Sequence, residues 1–382
     1  MIGGVREYFD KDYRKLKYIL DTIEKIYASY GYRPLETSVF EDLNILLKKG
    51  GEEIREQIFR FDRIGLRFDH TVPLIRFAEE HKELPRPIKR YSIGKVYRNE
   101  DPQRMRYIEF IQADIDVVGS NSIYSTLEIL EIAELVLSSL GLSAQIEVND
   151  RRFLDGVVAD LDDDQRSFLF RTVDKIGRFG ERWVREQIER KGISMKYLDI
   201  LLRSDLETVK DYSKEAYDTL SRIGRKFNPT LVRGLDYYTG EIFEISIAGI
   251  NVSVGGGGRY SMFSEKHNVG ISLGVSRLYD LIDYKDHIRS IFIAWIDEFE
   301  YADSIAKELR KRGLAVEINT EDRSLRKQLE YASKYYGKCI IVGRKEKEEQ
   351  SVVIRDLKKG EQNIISVKEL LENYSKCLDQ YY

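Results

Sequence analysis

The sequence predicts an α+β protein: an antiparallel sheet flanked by helices, a helical insertion, and a smaller C-terminal α/β unit. Three observations predict it. Residues 88–98 (IKRYSIGKVYR) and 107–118 (YIEFIQADIDVV) alternate with period two on either side of a polar NEDPQRMR, as the arms of a long antiparallel hairpin do. Residues 151–226 are rich in helix formers and poor in β-branched residues, which reads as a helical insertion. From Ser290 onward, buried-strand runs alternate with amphipathic runs, the pattern of a small α/β unit with mostly parallel strands.

In chain order, Tyr13, Leu16, Leu20, Ile23, Ile26 and Tyr27 recur at three and four and give one apolar stripe on a helix from Asp10 to about Tyr30. Gly31 and Pro34 then break the chain into an extended GYRPLETSVFE. After the hairpin, TLEILEIAELVLSSLG has helical spacing ending at Gly141. Strand-type sequence returns at GEIFEISIAGINVSVGGGGRY, and VGISLGVSRLYDLI reads as a strand running into a helix. The last part reads SIFIAWI as strand, EYADSIAKELRKRG as helix, LAVEIN as strand, LRKQLEYASKYYG as helix, KCIIVG as strand and QSVVIRDLKKGEQNIISV as a charged hairpin.

Composition narrows the function classes. The 382 residues, 42% of them hydrophobic, suffice for one large domain with one or two smaller ones. With 62 Lys and Arg against 65 Asp and Glu, no bulk charge drives the chain toward nucleic acid or membrane, so an anionic partner must be met by local patches. The two cysteines, Cys339 and Cys377, have neither metal nor disulfide spacing, which suits a reducing cytoplasm and makes structural zinc unexpected. No apolar run reaches the roughly 18 residues of a membrane span, and MIGGVREYFDKDYRK is too charged for a signal peptide. A soluble, cytoplasmic protein is expected.

Motifs narrow them further. No phosphate-binding P-loop is present, GGGGRY lacks the third glycine and following helix of a dinucleotide fingerprint, and His70, His81, His267 and His287 lack metalloprotease spacing. The hairpin is more informative. Arg98 and Glu100 are two apart at the end of one arm, and Gln112, Asp114 and Asp116 share a face of the other, with Arg104 and Arg106 between. This is either a solvated polar face or a site for a zwitterion beside a phosphate, since carboxylates take an ammonium and arginines take phosphate oxygens. GGGGRY either turns the chain or lets something approach the backbone closely. Arg233, in the otherwise apolar LVRGLDYYTGEIFE, needs an anion if buried, and Asp236 is one candidate. Tyr237 and Tyr238 are core aromatics or ligand contacts, and Arg277 is a helix-start residue or a ligand contact.

Together these stretches resemble the histidyl-tRNA synthetases, in the archaeal and eukaryotic style. LVRGLDYYTGEIFE is similar to that family's signature peptide and GLRFDHTVPLIRF to its substrate loop. The 87–119 stretch, PIKRYSIGKVYRNEDPQRMRYIEFIQADIDVVG, resembles class II motif 2, and VGISLGVSRLYDLI resembles motif 3. The resemblance implies the class II synthetase fold: a six-stranded antiparallel sheet within 1–150 and 227–287, a helical insertion at 151–226, and an anticodon-binding domain at 288–382. It implies a homodimer formed through motif 1. It implies ATP, taken with Mg2+, and L-histidine as substrates, with the histidine tRNA as acceptor. By motif position, Arg98 contacts the α-phosphate, Glu100 the adenine amino group, and Arg106 and Arg277 the β- and γ-phosphates. Arg233 is the catalytic arginine between nucleotide and histidine, offsetting charge that other class II enzymes offset with a metal ion. Asp69, Thr71 and Gln112 fall where the family binds the substrate amino group, and Asp116 and Tyr238 where it binds the imidazole. Ser38, Met105, Ile108 and Ser261 depart from the family's usual proline, glycine, arginine and aspartate. Two other readings are a non-catalytic paralogue, such as the ATP phosphoribosyltransferase regulatory subunit, and adenylation without transfer to tRNA.

Overall fold

The computed structural model describes residues 3–47, 52–103, 105–233, 237–285 and 290–374, with the backbone alone at 52–54 and 251. Arg104, Asp236, His287 and Cys377 therefore lie outside the described residues. The chain forms two compact units, Met1–Tyr284 and Lys285–Tyr382.

Strands are numbered along the chain. The first unit contains β1 (Arg33–Pro34), β2 (Phe40–Asp42), β3 (Arg60–Phe61), β4 (Ile64–Leu66), β5 (Ile88–Tyr97), β6 (Glu109–Val118), β7 (Ala144–Asp150), β8 (Lys226–Phe227), β9 (Tyr238–Ile247), β10 (Ile250–Met262) and β11 (Glu265–Gly274). The large sheet has the order β1-β5-β6-β11-β10-β9-β7-β8. Its six central strands are antiparallel throughout, and two-residue parallel strands cap both edges. The expected hairpin is β5–β6, in register from Ile88 opposite Val118 to Tyr97 opposite Glu109. GGGGRY lies inside β10, so its turn reading fails.

Strand alternation sorts the two faces. Ile111, Ala113, Ile115 and Val117 of β6 join Val269, Ile271 and Leu273 of β11 in one core beneath helices Lys11–Ser29 and Ile123–Ser139. Gln112, Asp114 and Asp116, with Gly270, Ser272 and Gly274, are left on the opposite face. On the first helix the buried line is Leu16, Ile19, Ile23 and Tyr27. Tyr13 is 56% exposed, because a phenol tolerates water and periodicity overstates its burial. Of the extended GYRPLETSVFE only β1 and the start of β2 are strand.

Residues 151–223 are helical as expected, with Asp162 and Ser213 accepting hydrogen bonds from the helix starts at Gln165 N and Ala216 N. Phe153, Leu169, Val184, Leu198 and Leu220 belong to the same core as the sheet, so these helices pack on it instead of standing apart.

In the second unit, β12 (Ser290–Trp295), β13 (Ala315–Ile318), β14 (Lys338–Val342), β15 (Ser351–Asp356) and β16 (Gln362–Ser366) form a sheet of order β13-β12-β14-β15-β16. The first three strands are parallel and the last two form an antiparallel hairpin. Both faces are covered: Ile291 and Ile293 pack with helix Phe299–Lys311, and Phe292 and Ala294 pack with Ala332 of helix Leu325–Tyr335. Two-sided burial explains the unbroken apolar run at the start of this unit.

Candidate active site

The polar face of the large sheet floors an open cleft with about 1120 Å3 of empty space, counting the part open to solvent. All ten residues to which the resemblance gives a substrate role line it, Asp69, Thr71, Arg98, Glu100, Arg106, Gln112, Asp116, Arg233, Tyr238 and Arg277, and so do Asp114 and Tyr237. β5 ends at Tyr97, one residue short of Arg98. A tight turn, with Glu100 N donating to Arg98 O, carries Arg98 and Glu100 into the cleft together.

Four arginines converge here. The Arg98 guanidinium lies between the rings of Phe68 and Phe110, 4.3 and 5.1 Å from their centroids, and its Nε is buried without a hydrogen-bond partner. Burial lowers its pKa below the ordinary value, against the pull of Asp69 and Glu100. Arg277, in the first turn of helix Val275–Leu281, donates from Nε to Met105 O at 3.1 Å and from Nη1 to Ser253 O at 2.7 Å. Burial and the charges of Arg98, Arg106 and Arg233 lower its pKa as well. Guanidinium groups that repel one another in a shared cleft form a site for a polyanion. Arg106 faces Glu100 at 3.8 Å and Arg233 faces Glu244 at 3.0 Å. Among the described residues no group of three or more His, Cys, Asp or Glu could hold a metal ion.

Beside the arginines lies an acidic, aromatic pocket. Asp69 Oδ1 accepts from Thr71 N and Val72 N at 3.0 and 3.2 Å, starting helix Thr71–Glu80. Asp116 is 3% exposed; its Oδ2 pairs with Arg90 at 2.8 Å and its Oδ1 accepts the Tyr260 hydroxyl at 2.7 Å. A solvated polar face is thereby ruled out for this strand. Tyr238 stacks obliquely on Tyr237 with centroids 4.2 Å apart, and burial holds its phenol well above the usual range, so it stays a neutral donor.

The glycines mark close approach. A Cβ at Gly256 would lie 2.6 Å from Arg233 Nη1, one at Gly257 2.0 Å from Gly270 O, and one at Gly270 1.9 Å from Asp116 Oδ1. Met105, where the resemblance expects glycine, has φ +61°, a left-handed conformation that glycine adopts without strain.

Sequence reasoning missed Arg90, Glu244, Tyr260 and Ser272. The hairpin register places Arg90 directly opposite Asp116, so counting along the two arms finds that pair. Glu244 closes LVRGLDYYTGEIFE and Tyr260 closes GGGGRY, but nothing local says that they meet Arg233 and Asp116, and Ser272 meets Asp114 from 158 residues away in the chain.

A six-stranded antiparallel sheet bearing a motif 2 hairpin, a motif 3 strand and helix, and converging arginines defines a class II aminoacyl-tRNA synthetase. The histidyl-tRNA synthetase family profile matches residues 4–202 and 185–278, and an anticodon binding domain profile matches 290–376. The histidine-tRNA ligase of Pyrobaculum aerophilum is 32% identical over 94% of this chain and 94% of its own length. The histidyl-tRNA synthetase structure from Nostoc sp. PCC 7120 superposes with a TM-score of 0.82 at 26% identity, covering 99% of both chains. A Bacillus halodurans structure described as an ATP phosphoribosyltransferase regulatory subunit/histidyl-tRNA synthetase covers 90% of this chain and 98% of its own, with a TM-score of 0.75. At 20% identity it shows the fold alone. The chain belongs to the histidyl-tRNA synthetase family.

Proposed function

We propose that this cleft joins L-histidine to ATP as histidyl-adenylate and passes the histidyl group to the histidine tRNA. The observation that carries this reading is the convergence of Arg98, Arg106, Arg233 and Arg277, one of them with a buried, partnerless Nε, beside a carboxylate and tyrosine pocket. Attack of the histidine carboxylate on the α-phosphorus builds negative charge on the phosphate oxygens, so fixed positive charge and positioning are what the chemistry requires. Arg98 takes the α-phosphate, Arg106 and Arg277 the β- and γ-phosphates, and Glu100 the adenine amino group. Arg233 stands between α-phosphate and amino acid. ATP arrives as its Mg2+ complex, the cleft carboxylates Glu100 and Glu244 already facing arginines.

Asp69, Thr71 and Gln112 receive the ammonium of histidine, and Asp116 and Tyr238 its imidazole. A pocket that hydrogen-bonds the ring leaves its own buried groups unpaired around any other amino acid, which discriminates by roughly 10⁴ or more without editing. Histidine-dependent exchange of pyrophosphate into ATP tests the reading. Folded protein without that exchange would favour the non-catalytic paralogue. Exchange without charging of a histidine tRNA transcript would leave adenylation alone.

The working division is 1–150 with 227–287 for catalysis, 151–226 as helical insertion and 288–382 for the anticodon. Removing 288–382 is expected to cost tRNA charging far more than pyrophosphate exchange. The small sheet β2-β4-β3 exposes Phe40 at 55%, Phe61 at 52% and Ile64 at 37%, a surface suited to a second copy of the chain. Sedimentation at twice the chain mass supports that dimer, and monomeric active protein would end it. No helix among the described residues is long and apolar enough to cross a membrane.

A further inference from the structure

One hydrogen-bond relay on the cleft floor joins two residues given no part in holding the proposed substrates, Ser272 and Asp114, to one that is, Gln112. Ser272 on β11 lies directly opposite Asp114 on β6, and Gln112 is two residues along the same face. The Ser272 hydroxyl donates to Asp114 Oδ1 at 2.5 Å, and Gln112 Nε2 donates to Ser272 Oγ at 2.5 Å. Gln112 is 8% exposed, and its Oε1 is buried without a partner.

Donor counting fixes the direction of this relay. A carboxylate only accepts, so the single proton of the Ser272 hydroxyl is committed to Asp114. Ser272 can then only accept from Gln112, which must present its amino group to the serine. The carbonyl oxygen of the amide is left as the unpaired end, on a residue that lines the cleft. Without the relay the amide can rotate by half a turn, and its NH2 would meet an ammonium donor to donor.

We propose that Ser272 is a positioning residue for amino-acid recognition: with Asp114 it locks the Gln112 amide so that Oε1 points at the α-ammonium of histidine. This rests on the reading of Gln112 as an ammonium ligand. The relay discriminates for a positive amino group and is indifferent to the imidazole and to ATP.

Pyrophosphate exchange with the full-length enzyme tests it, using Ser272→Ala, Ser272→Thr, Asp114→Asn and Gln112→Ala. A hydrogen bond to a charged group corresponds to about tenfold or more in affinity. Ser272→Ala and Asp114→Asn should each raise KM for histidine by about that factor and leave KM for ATP unchanged. Ser272→Thr, which keeps the hydroxyl, should stay near the parent. Competitive inhibition by imidazole propionate, which is histidine without its amino group, should be equally strong in the parent and in Ser272→Ala. A loss of inhibition matching the loss of histidine affinity would make Ser272 merely structural and overturn the proposal. A parental histidine KM in Ser272→Ala, with Gln112→Ala impaired, would overturn the relay and leave the ammonium reading standing. A parental histidine KM in Gln112→Ala would overturn both. If Ser272→Ala fails to fold, the isosteric Asp114→Asn carries the same comparison.

Discussion

Arg233 faces Glu244 at 3.0 Å, and the two side chains remain 37% and 33% exposed, so the pairing orients the guanidinium without withdrawing it from the cleft. Burial opposes its charge, but Glu244 and the two neighbouring tyrosines outweigh that and raise its pKa, so the residue is a permanent cation. In the proposed reaction, replacing Arg233 with alanine removes a positive charge from beside the developing phosphate oxyanion. The expected loss is about 2.7–4 kcal/mol of transition-state stabilisation, or about 10²–10³ in kcat, with a smaller change in histidine binding. Pyrophosphate exchange beside calorimetric histidine titration separates the two, and an unchanged kcat would remove Arg233 from the chemistry.

Gly257→Ala and Gly270→Ala should fail differently. The first puts a methyl group 2.0 Å from the Gly270 carbonyl of a paired strand, where the backbone cannot give way. It should destabilise the first unit by about 1–3 kcal/mol or more, read as a lower melting temperature. The second puts a methyl group 1.9 Å from Asp116 Oδ1 and should abolish histidine binding while ATP still binds. Equal histidine affinity in Gly270→Ala and the parent would remove Asp116 from the pocket.

His70 predicts an acid limit. Burial, then Arg67 and Arg90, lowers its pKa to about 3, and its Nε2 lies 3.3 Å from Gly94 O. The folded value is below the unfolded one of about 6.5, so the unfolded chain binds the proton first. The stability linked to this residue is complete above about pH 6.5 and is lost progressively as pH falls toward about 3. Melting curves between neutral and acid pH should fall less steeply in His70→Gln than in the parent. Identical slopes would show that His70 does not contribute.

The N-terminal arm straps the hairpin loop to the motif 3 helix. Arg6 donates from Nη2 to the Tyr107 hydroxyl at 2.7 Å and from Nη1 to Asp280 at 2.8 Å, and Ile108 N donates to Gly4 O at 2.9 Å. Arg6→Ala should loosen the segment that carries Arg106 relative to Arg277. A loss near 1 kcal/mol raises KM for ATP about fivefold, with KM for histidine unchanged and little effect on stability, since half-exposed ion pairs contribute little. Equal changes in both constants would point to general unfolding.

The extent of the hairpin, the polar face of β6 and the buried run of β12 were legible in the residues themselves, whereas Asp69 and Thr71 joined the cleft residues only through the family resemblance. Period-two alternation decides which side chains share a face, because the pleat places successive residues on opposite sides. The collinear motifs placed those faces within one family. Alternation says nothing about which strand lies alongside. Gln112 finds Ser272 and Asp116 finds Tyr260 only because β6, β11 and β10 pair in that order. The helices of 151–223 likewise read as a separate piece, yet their apolar faces close the sheet's own core. The sequence by itself determined the hairpin, the helical insertion, the alternating elements of the second unit and the residue types of the site, while β7 and the small sheet β2-β4-β3 went unmarked. The tertiary structure alone decided the partners, because a hydrogen bond or ion pair between distant residues depends on a few ångströms of separation that no local pattern encodes.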